Sequence, residues 1–322
     1  MKLRYGVTVE STETFRFAMN LSPFERGCNA HTLPRSLRYK YEPPPGRVFV
    51  SGDGSQVEAR WVAYLSKCKD LIKLFDDPTR HVHLENAILV FGHPVKKDTP
   101  DYKLSKELVH GVHYREGPFL MSTKLGLPVK ETRKLRMNYL SKRPEILQWH
   151  DWTRDQIKER GKLETPFGDE RVFYEALSCL SLTGKMTDHQ WNDAVAWVPQ
   201  SMTPAWTHRG INNIYYSGVD YVQWHHEGHD SFVASIPPER TVEFAELAER
   251  SFKIPVTIHG VTMYVPLELS VGYNFGDMMK YRGSVVERPD WERWLASELE
   301  KQPREQRILD GIYASILKGF RP

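Results

Sequence analysis

Residues 48–65 read Val-Phe-Val-Ser-Gly-Asp-Gly-Ser-Gln-Val-Glu-Ala-Arg-Trp-Val-Ala-Tyr-Leu. Their apolar start follows a rigid Pro-Pro-Pro-Gly turn at 43–46 and predicts a strand over 48–50. Beyond this strand, apolar side chains recur at helical spacing, which predicts one core-facing helix over 55–75. Asp53 stands between the two elements. The pattern therefore predicts a carboxylate at the edge of a sheet.

The composition is that of a globular protein. The chain has 322 residues, of which 40% are hydrophobic and 26% charged, enough for one large or two modest cores. No apolar run reaches membrane length, and the N-terminus lacks the apolar region of a signal peptide. The cysteines, Cys28, Cys68 and Cys179, show the spacing of neither a disulfide framework nor a zinc site. We therefore expect a cytoplasmic protein without a membrane partner.

The net charge of +3 excludes a general nucleic-acid coat, so any contact with DNA would rely on local basic patches. An ordinary solvated face is the alternative interpretation of these patches. The candidate residues are Arg35, Arg38 and Lys40, and Lys130, Arg133, Lys134 and Arg136.

Two further segments carry a pattern of their own. Tyr102, Lys106, His110 and Tyr114 recur every four residues and would share one face of a helix, which indicates a binding surface. A half-exposed helix with a snorkelling lysine is the alternative. Residues 219–236 alternate as in a β-hairpin around a Glu-Gly turn.

Helices are also predicted over 117–163, with a break near 126–128, where the sequence is Gly-Leu-Pro.

The spacing of Asp53, Gln56, Glu58 and Arg60 resembles the first catalytic motif of family A (DNA polymerase I-like) DNA polymerases, which usually reads Asp-Tyr-Ser-Gln-Ile-Glu-Leu-Arg. Three more segments follow in the family's order and at close to its separations. Residues 80–92 are similar to a fingers segment, 106–114 to the nucleotide-binding helix, and 229–237 to the second metal-binding motif, His-Asp-Glu. The resemblance covers about residues 15–278.

This resemblance implies an α+β fold, a polymerase right-hand palm of antiparallel sheet and helices with an inserted helical fingers domain. The implied boundaries place the palm at 1–60 and 191–280 and the fingers at 61–190. Residues 281–322 are foreign to the family pattern, and their apolar spacing predicts a helical C-terminal extension.

The implied activity is template-directed DNA synthesis, in which dNTPs are added to a primer 3′-hydroxyl by two-metal phosphoryl transfer. Asp53, Asp230 and Lys106 would be the catalytic residues. Asp53 and Asp230 would also be the metal ligands for two Mg²⁺ ions, because Mg²⁺ prefers oxygen ligands and binds substrate phosphates.

The resemblance also implies residues that bind substrate and DNA. Glu58 would block the space of a ribose 2′-hydroxyl, although Ser55 and Glu58 also form a Ser-x-x-Glu capping box. The implied nucleotide-binding residues are Gln56, Glu58, His83, His110 and Tyr114. The implied DNA contacts are Arg16, His31, Gln200 and His229.

Several positions depart from the family pattern. Gly54 replaces the usual tyrosine, Ser231 replaces the usual glutamate, and His110 replaces the usual phenylalanine or tyrosine. Asp-Gly-Ser and His-Asp-Ser both occur in single-subunit, phage-type RNA polymerases, so an RNA polymerase-like or primase-like nucleotidyltransferase is one alternative. A catalytically silent replication scaffold is another.

Few residues precede Arg16, which leaves no room for the family's helical thumb or 3′–5′ exonuclease domain. We therefore expect a minimal or split polymerase that binds primer-template DNA and dNTPs, with a protein partner supplying the thumb, the exonuclease or both. Such compaction suggests a phage source and the cytoplasm of a bacterial or phage-infected cell.

Overall fold

A computed structural model describes residues 6–8, 12–14, 18–20 and 34–281. Arg16, His31 and all of the predicted C-terminal extension beyond Tyr281 lie outside the described residues. The chain divides into two compact units. The sheet unit comprises residues 1–55, 203–255 and 264–322, and the helical unit comprises residues 56–202 and 256–263.

The described residues fold into α-helices and β-strands, each numbered in chain order. The helices are α1 (Arg35–Arg38), α2 (Val57–Leu65), α3 (Lys69–Asp76), α4 (Val82–Phe91), α5 (Pro100–His113), α6 (Pro118–Leu125), α7 (Val129–Ser141), α8 (Pro144–Arg160), α9 (Tyr174–Thr183), α10 (Asp188–Tyr216) and α11 (Thr241–Phe252). The strands are β1 (Gly6–Thr8), β2 (Ala18–Asn20), β3 (Val48–Gly54), β4 (Lys162–Glu164), β5 (Glu170–Val172), β6 (Gln223–Glu227), β7 (Ser231–Ile236), β8 (Val256–Ile258), β9 (Val261–Met263), β10 (Leu267–Gly272) and β11 (Met279–Tyr281).

The sheet unit is built on an antiparallel sheet that has, in the described part of the chain, the strand order β11-β10-β3-β7-β6. The helical unit is inserted in the sequence between two parts of the sheet unit. This arrangement confirms the predicted α+β fold class with an inserted helical segment. The boundaries predicted for palm and fingers stay predictions.

Aromatic side chains cover one face of this sheet. Phe232 on β7 is fully buried and stacks on Phe252 of α11, with ring centroids 5.3 Å apart. Trp206 of α10 contacts the same Phe252 ring edge-on at 4.9 Å. Burial of large aromatic rings stabilises a fold by about 2 kcal/mol each, so this layer anchors the sheet.

Two predicted elements are confirmed and extended by the structure. The strand expected over 48–50 is β3, which continues to Gly54. The hairpin expected within 219–236 is formed by β6 and β7, which pair antiparallel. The predicted break near 126–128 also exists, because Gly126 ends α6 in the left-handed region (φ +65°) and Pro128 precedes α7.

The single helix predicted over 55–75 is wrong. The chain forms α2 and α3 instead, and Lys67 between them adopts a left-handed φ of +57°. Cys68 then donates its N–H to the Ala63 carbonyl at 3.0 Å and becomes the N-cap of α3. Apolar residues of both helices are buried, so the helical period continues across the break and conceals it.

The predicted capping box at the start of α2 is also wrong. Gln56, not Ser55, occupies the N-cap position, with a left-handed φ of +53°, and its side chain makes no capping hydrogen bond. The Ser55 N–H, which a capping glutamate would accept, donates instead to the Pro266 carbonyl at 2.9 Å.

A buried arginine organises the helical unit. Arg143 is 2% exposed and donates hydrogen bonds to Asp70 of α3 at 2.8 Å and to Asn86 of α4 at 2.7 Å. Its guanidinium carbon lies 4.6 Å from the ring centre of Tyr139 on α7. The Tyr139 hydroxyl in turn contacts Nε2 of buried His113 on α5 at 2.8 Å. One polar network thus connects four helices.

Each helix of the described residues is too short or too polar to cross a lipid bilayer.

Gly52 is expected to tolerate no larger side chain. A Cβ at this position would meet Cε1 of buried Phe232 at 2.3 Å. We expect Gly52→Ala to lower the free energy of unfolding by about 1–3 kcal/mol, as overpacked cores do. Denaturant titration measures this loss, and Ser51→Ala, at the half-exposed neighbouring position, is the control.

The double variant Gly52→Ala with Phe232→Leu tests the cause. Phe232→Leu removes the ring atoms that cause the clash. The losses of unfolding free energy in the two single variants should therefore sum to more than the loss in the double variant. Strictly additive losses would show that the contact with Phe232 is not responsible.

Candidate active site

The register of β3 determines the neighbours of Asp53. Asp53 lies directly opposite Glu268 on β10 and opposite Ser231 on β7. Residues directly opposite in antiparallel strands project from the same face of the sheet. The Gly54 N–H donates to the Asp230 carbonyl at 2.8 Å, which holds Asp230 beside the end of β3. The structure therefore brings Asp53 and Asp230 together.

A tight turn between β6 and β7 presents Asp230. The Gly228 N–H donates to the Ser231 carbonyl at 2.6 Å, and a Cβ at Gly228 would meet the Ser231 hydroxyl oxygen at 2.3 Å. A larger residue at 228 would therefore require the Ser231 hydroxyl to rotate away. The Thr207 hydroxyl of α10 donates to the His229 carbonyl at 3.0 Å, so the turn is also held from outside.

The carboxyl of Asp53 is in an unusual electrostatic environment. Its pKa is raised from 3.8 to about 7, first by burial, then by the negative charges of Asp230 and Glu268, while Lys280 opposes the shift. Part of the Asp53 surface remains open to solvent, but protein atoms crowd the carboxyl group enough to remove much of its hydration. This edge of the sheet carries an excess of negative charge that a cation would relieve.

The donor chemistry of Asp53 and Asp230 suits a hard divalent cation. Mg²⁺ is commonly bound by one or two carboxylates, with waters and substrate phosphates completing its coordination. Within residues 34–281 and the short described segments before them, no three His, Cys, Asp or Glu side chains cluster closely enough to hold a metal ion. Asp53 and Asp230 are within the number of carboxylates that Mg²⁺ commonly takes from a protein.

A second cluster lies in the helical unit, around Glu58 of α2. The hydroxyl of Tyr114, at the C-cap of α5, donates a hydrogen bond to Glu58 Oε2. Nε2 of His110 lies 3.8 Å from the same oxygen, and the rings of His110 and Tyr114 meet edge-on at 4.8 Å. Tyr114 is buried, whereas His110 is largely exposed. The structure thus brings together three predicted nucleotide-binding residues.

The other end of the predicted stripe contacts His83 of α4. The rings of His83 and Tyr102 meet edge-on at 6.3 Å, and the Lys106 amino group lies 5.9 Å from the Tyr102 ring centre. Burial, and then the positive charge of Lys106, lower the pKa of His83 to about 4. His83 is therefore neutral at pH 7 and offers a single N–H donor.

Both predicted glutamine sites are described. Gln56 is half-buried, and within the described residues its buried Oε1 has no hydrogen-bond partner. Gln200 is half-buried on α10. The functional roles assigned to these and the other site residues stay predictions.

Two charged residues beside Asp53 are not among the predicted site residues. Glu268 is the cross-strand partner of Asp53, and Lys280 on β11 donates to Glu268 Oε2 at 2.6 Å. No role is predicted for either residue from the sequence, and only the strand register shows that they share the face of Asp53.

Replacing Asp53 with asparagine is expected to stabilise the metal-free protein above pH 7 but not near pH 4. Because the folded-state pKa is raised to about 7, the folded protein loses stability as the pH rises from about 4 to 7. After a discount for solvent screening, the gain in the variant is about 1 kcal/mol at pH 8. Denaturant titration in a chelator at both pH values measures it.

Asp220→Asn, at an exposed loop position, controls for the exchange itself. An equal gain in Asp53→Asn at pH 4 and pH 8 would contradict the raised pKa of Asp53.

Comparison with known proteins identifies the family. The model of DNA polymerase family A matches residues 12–277. The thermostable DNA polymerase I of Thermus aquaticus is 25% identical over 243 residues, which is 74% of this chain and 28% of that protein. DNA polymerase I of Borreliella burgdorferi is 30% identical over 142 residues, 44% of this chain and 16% of that protein. The matched region of this chain thus spans less than a third of the length of each of these relatives.

The fold has a close counterpart among solved structures. The POL domain of Pol1 from M. smegmatis, in complex with DNA primer-template and dNTP, superposes with a TM-score of 0.71. The match covers 84% of this chain and 48% of that one, at 17% identity, and shows a shared fold. Together with the family model, which matches most of the sequence, it leads to one conclusion: the chain belongs to DNA polymerase family A.

Proposed function

We propose that this chain catalyses template-directed DNA synthesis, adding nucleotides from dNTPs to the 3′-hydroxyl of a primer. The observation that carries the proposal is the pair of aspartates, Asp53 and Asp230, that crowd one edge of the sheet in a chain of this family. The M. smegmatis relative is a complex with DNA primer-template and dNTP, and the same two ligands are proposed here.

Asp53 and Asp230 hold Mg²⁺ in this proposal. When bound, two such ions lower the pKa of the attacking hydroxyl and neutralise charge on the departing pyrophosphate. The aspartates orient the reacting groups at the sheet edge. Lys106, whose side chain is exposed on α5, pairs with the phosphates as charge develops on the leaving group. Neutral His83 donates a hydrogen bond to a phosphate oxygen.

The cluster around Glu58 selects the sugar. The Tyr114 hydroxyl holds the Glu58 carboxylate in one orientation, in which it occupies the space of a 2′-hydroxyl. His110 lies beside both and packs near the sugar and base, and Gln56 offers an unpaired oxygen at the start of the same helix. A fixed carboxylate discriminates better than a mobile one because the incoming nucleotide cannot push it aside.

DNA contacts are assigned to Gln200 and His229, with Arg16 and His31 outside the described residues. The relatives reported above give no support to the RNA polymerase-like, primase-like or scaffold alternatives. The protein partner with a thumb or exonuclease, the phage source and the cytoplasmic location stay predictions.

Loss of either aspartate should abolish synthesis. Primer extension by the purified chain with Mg²⁺ and dNTPs is expected to fall about 10³-fold in Asp53→Asn and in Asp230→Asn, because several kcal/mol of transition-state stabilisation are lost. Asp220→Asn should extend primers at the normal rate. Undiminished extension by Asp230→Asn would overturn the proposal.

Loss of Glu58 should relax the choice of sugar. A clash worth about 1–3 kcal/mol disappears in Glu58→Ala, so the preference for dNTPs over rNTPs should fall about 10- to 100-fold. Tyr114→Phe should produce a smaller fall, because it removes the hydroxyl that orients Glu58. The measurement is kcat/KM for single-nucleotide insertion of each sugar.

Glu107→Ala, on the exposed side of α5, is the matched control and should keep the preference of the unaltered chain. An unchanged preference in Glu58→Ala would assign sugar selection to another residue.

A further inference from the structure

Four polar residues share the open face of the sheet. Asp53 lies directly opposite Glu268 on β10 and Ser231 on β7. Lys280 on β11 lies opposite Ser270, and residues 268 and 270 of one strand project from the same face. The aromatic layer around Phe232 covers the opposite face of the sheet. One row across the sheet therefore reads Glu268, Asp53, Ser231, with Lys280 beside Glu268.

The charges in this row are asymmetric. Ser231 contributes no charge on the β7 side of Asp53, whereas Glu268 contributes a carboxylate on the β10 side. Directly opposite residues of antiparallel strands have Cβ atoms about 5 Å apart, so the Glu268 charge acts at short range on anything bound to Asp53. The two carboxylates do interact, because Glu268 is among the causes of the raised pKa of Asp53.

Lys280 forms an ion pair with Glu268. Its amino group donates to Glu268 Oε2 at 2.6 Å, and both side chains are partly open to solvent, with 68% and 45% of their surface exposed. An exposed ion pair is weak, about 0–1 kcal/mol, and contributes little to stability. The positive charge of Lys280 nevertheless opposes that of a cation at Asp53.

We infer that Glu268 is a positioning residue for the divalent cation held by Asp53 and Asp230, and that Lys280 reduces its pull. This inference rests on the proposed function. Glu268 attracts the cation through space and through the water molecules that surround the ion, as carboxylates near a metal commonly do. It supplies from β10 the charge that Ser231 does not supply from β7.

The two residues of the ion pair should have opposite effects on metal affinity when each is neutralised. Glu268→Gln removes attraction and should raise the Kd for Mn²⁺, a spectroscopic substitute for Mg²⁺, by about tenfold. Lys280→Gln removes repulsion and should lower that Kd by about threefold. Titration of free Mn²⁺ by electron paramagnetic resonance measures both without any catalysis. A purely structural ion pair would change both Kd values in the same direction or neither, which would overturn the inference.

A rescue strengthens the test. Ser231→Glu places a carboxylate on the other side of Asp53, so adding it to Glu268→Gln should restore most of the lost Mn²⁺ affinity. Failure of this rescue would contradict the idea that charge beside Asp53 is what matters. Glu243→Gln, which breaks an equally exposed ion pair with Arg240 elsewhere in the sheet unit, is the control and should leave Mn²⁺ binding unchanged.

The inference and the proposed function fail differently. If Asp230→Asn binds Mn²⁺ as the unaltered chain does, the metal site itself is wrong. If Asp230→Asn loses binding while Glu268→Gln and Lys280→Gln both match the unaltered chain, only the inference is wrong. In primer extension, Glu268→Gln should need about tenfold more Mg²⁺ for half-maximal rate and reach a similar rate at saturation.

Discussion

The site depends on the antiparallel register of β3 between β7 and β10. A shift of β3 by one residue against β7 would move the side chains of β3 to the opposite face and place Asp53 opposite Phe232. Gly52 enforces the register, because the Phe232 ring fills the space where any other side chain would begin. The apolar contact between Gly52 and Phe232 therefore helps to position the polar residues at the end of β3.

The helical unit is organised in a comparable way by a buried charge. Arg143 is removed from water and depends on Asp70, Asn86 and Tyr139 to satisfy its guanidinium group. Leaving a buried charge without partners costs several kcal/mol, so the helices that supply them are confined to one arrangement. Through Tyr139 and His113 the same network reaches α5, the helix that carries Lys106 and His110.

The two units therefore carry different kinds of chemical group. The sheet unit concentrates carboxylates, and burial, followed by the negative charges of Asp230 and Glu268, raises the pKa of Asp53 to about 7. The helical unit presents Lys106, neutral His83 and a Glu58 side chain oriented by Tyr114. Carboxylates that suit divalent cations and donors that suit phosphates are the groups that the proposed phosphoryl transfer requires, because positioning and electrostatics supply most of its catalysis.

The sequence by itself determined the features that depend on neighbours along the chain. The strand that leads to Asp53, the hairpin whose turn contains Asp230 and the stripe from Tyr102 to Tyr114 all follow from local periodicity and turn chemistry. Only the tertiary structure decided the features that join distant segments. The hydrogen bond from Ser55 to Pro266 and the pairing of Glu268 with Asp53 arise from strand pairing, which brings together residues that no local pattern connects.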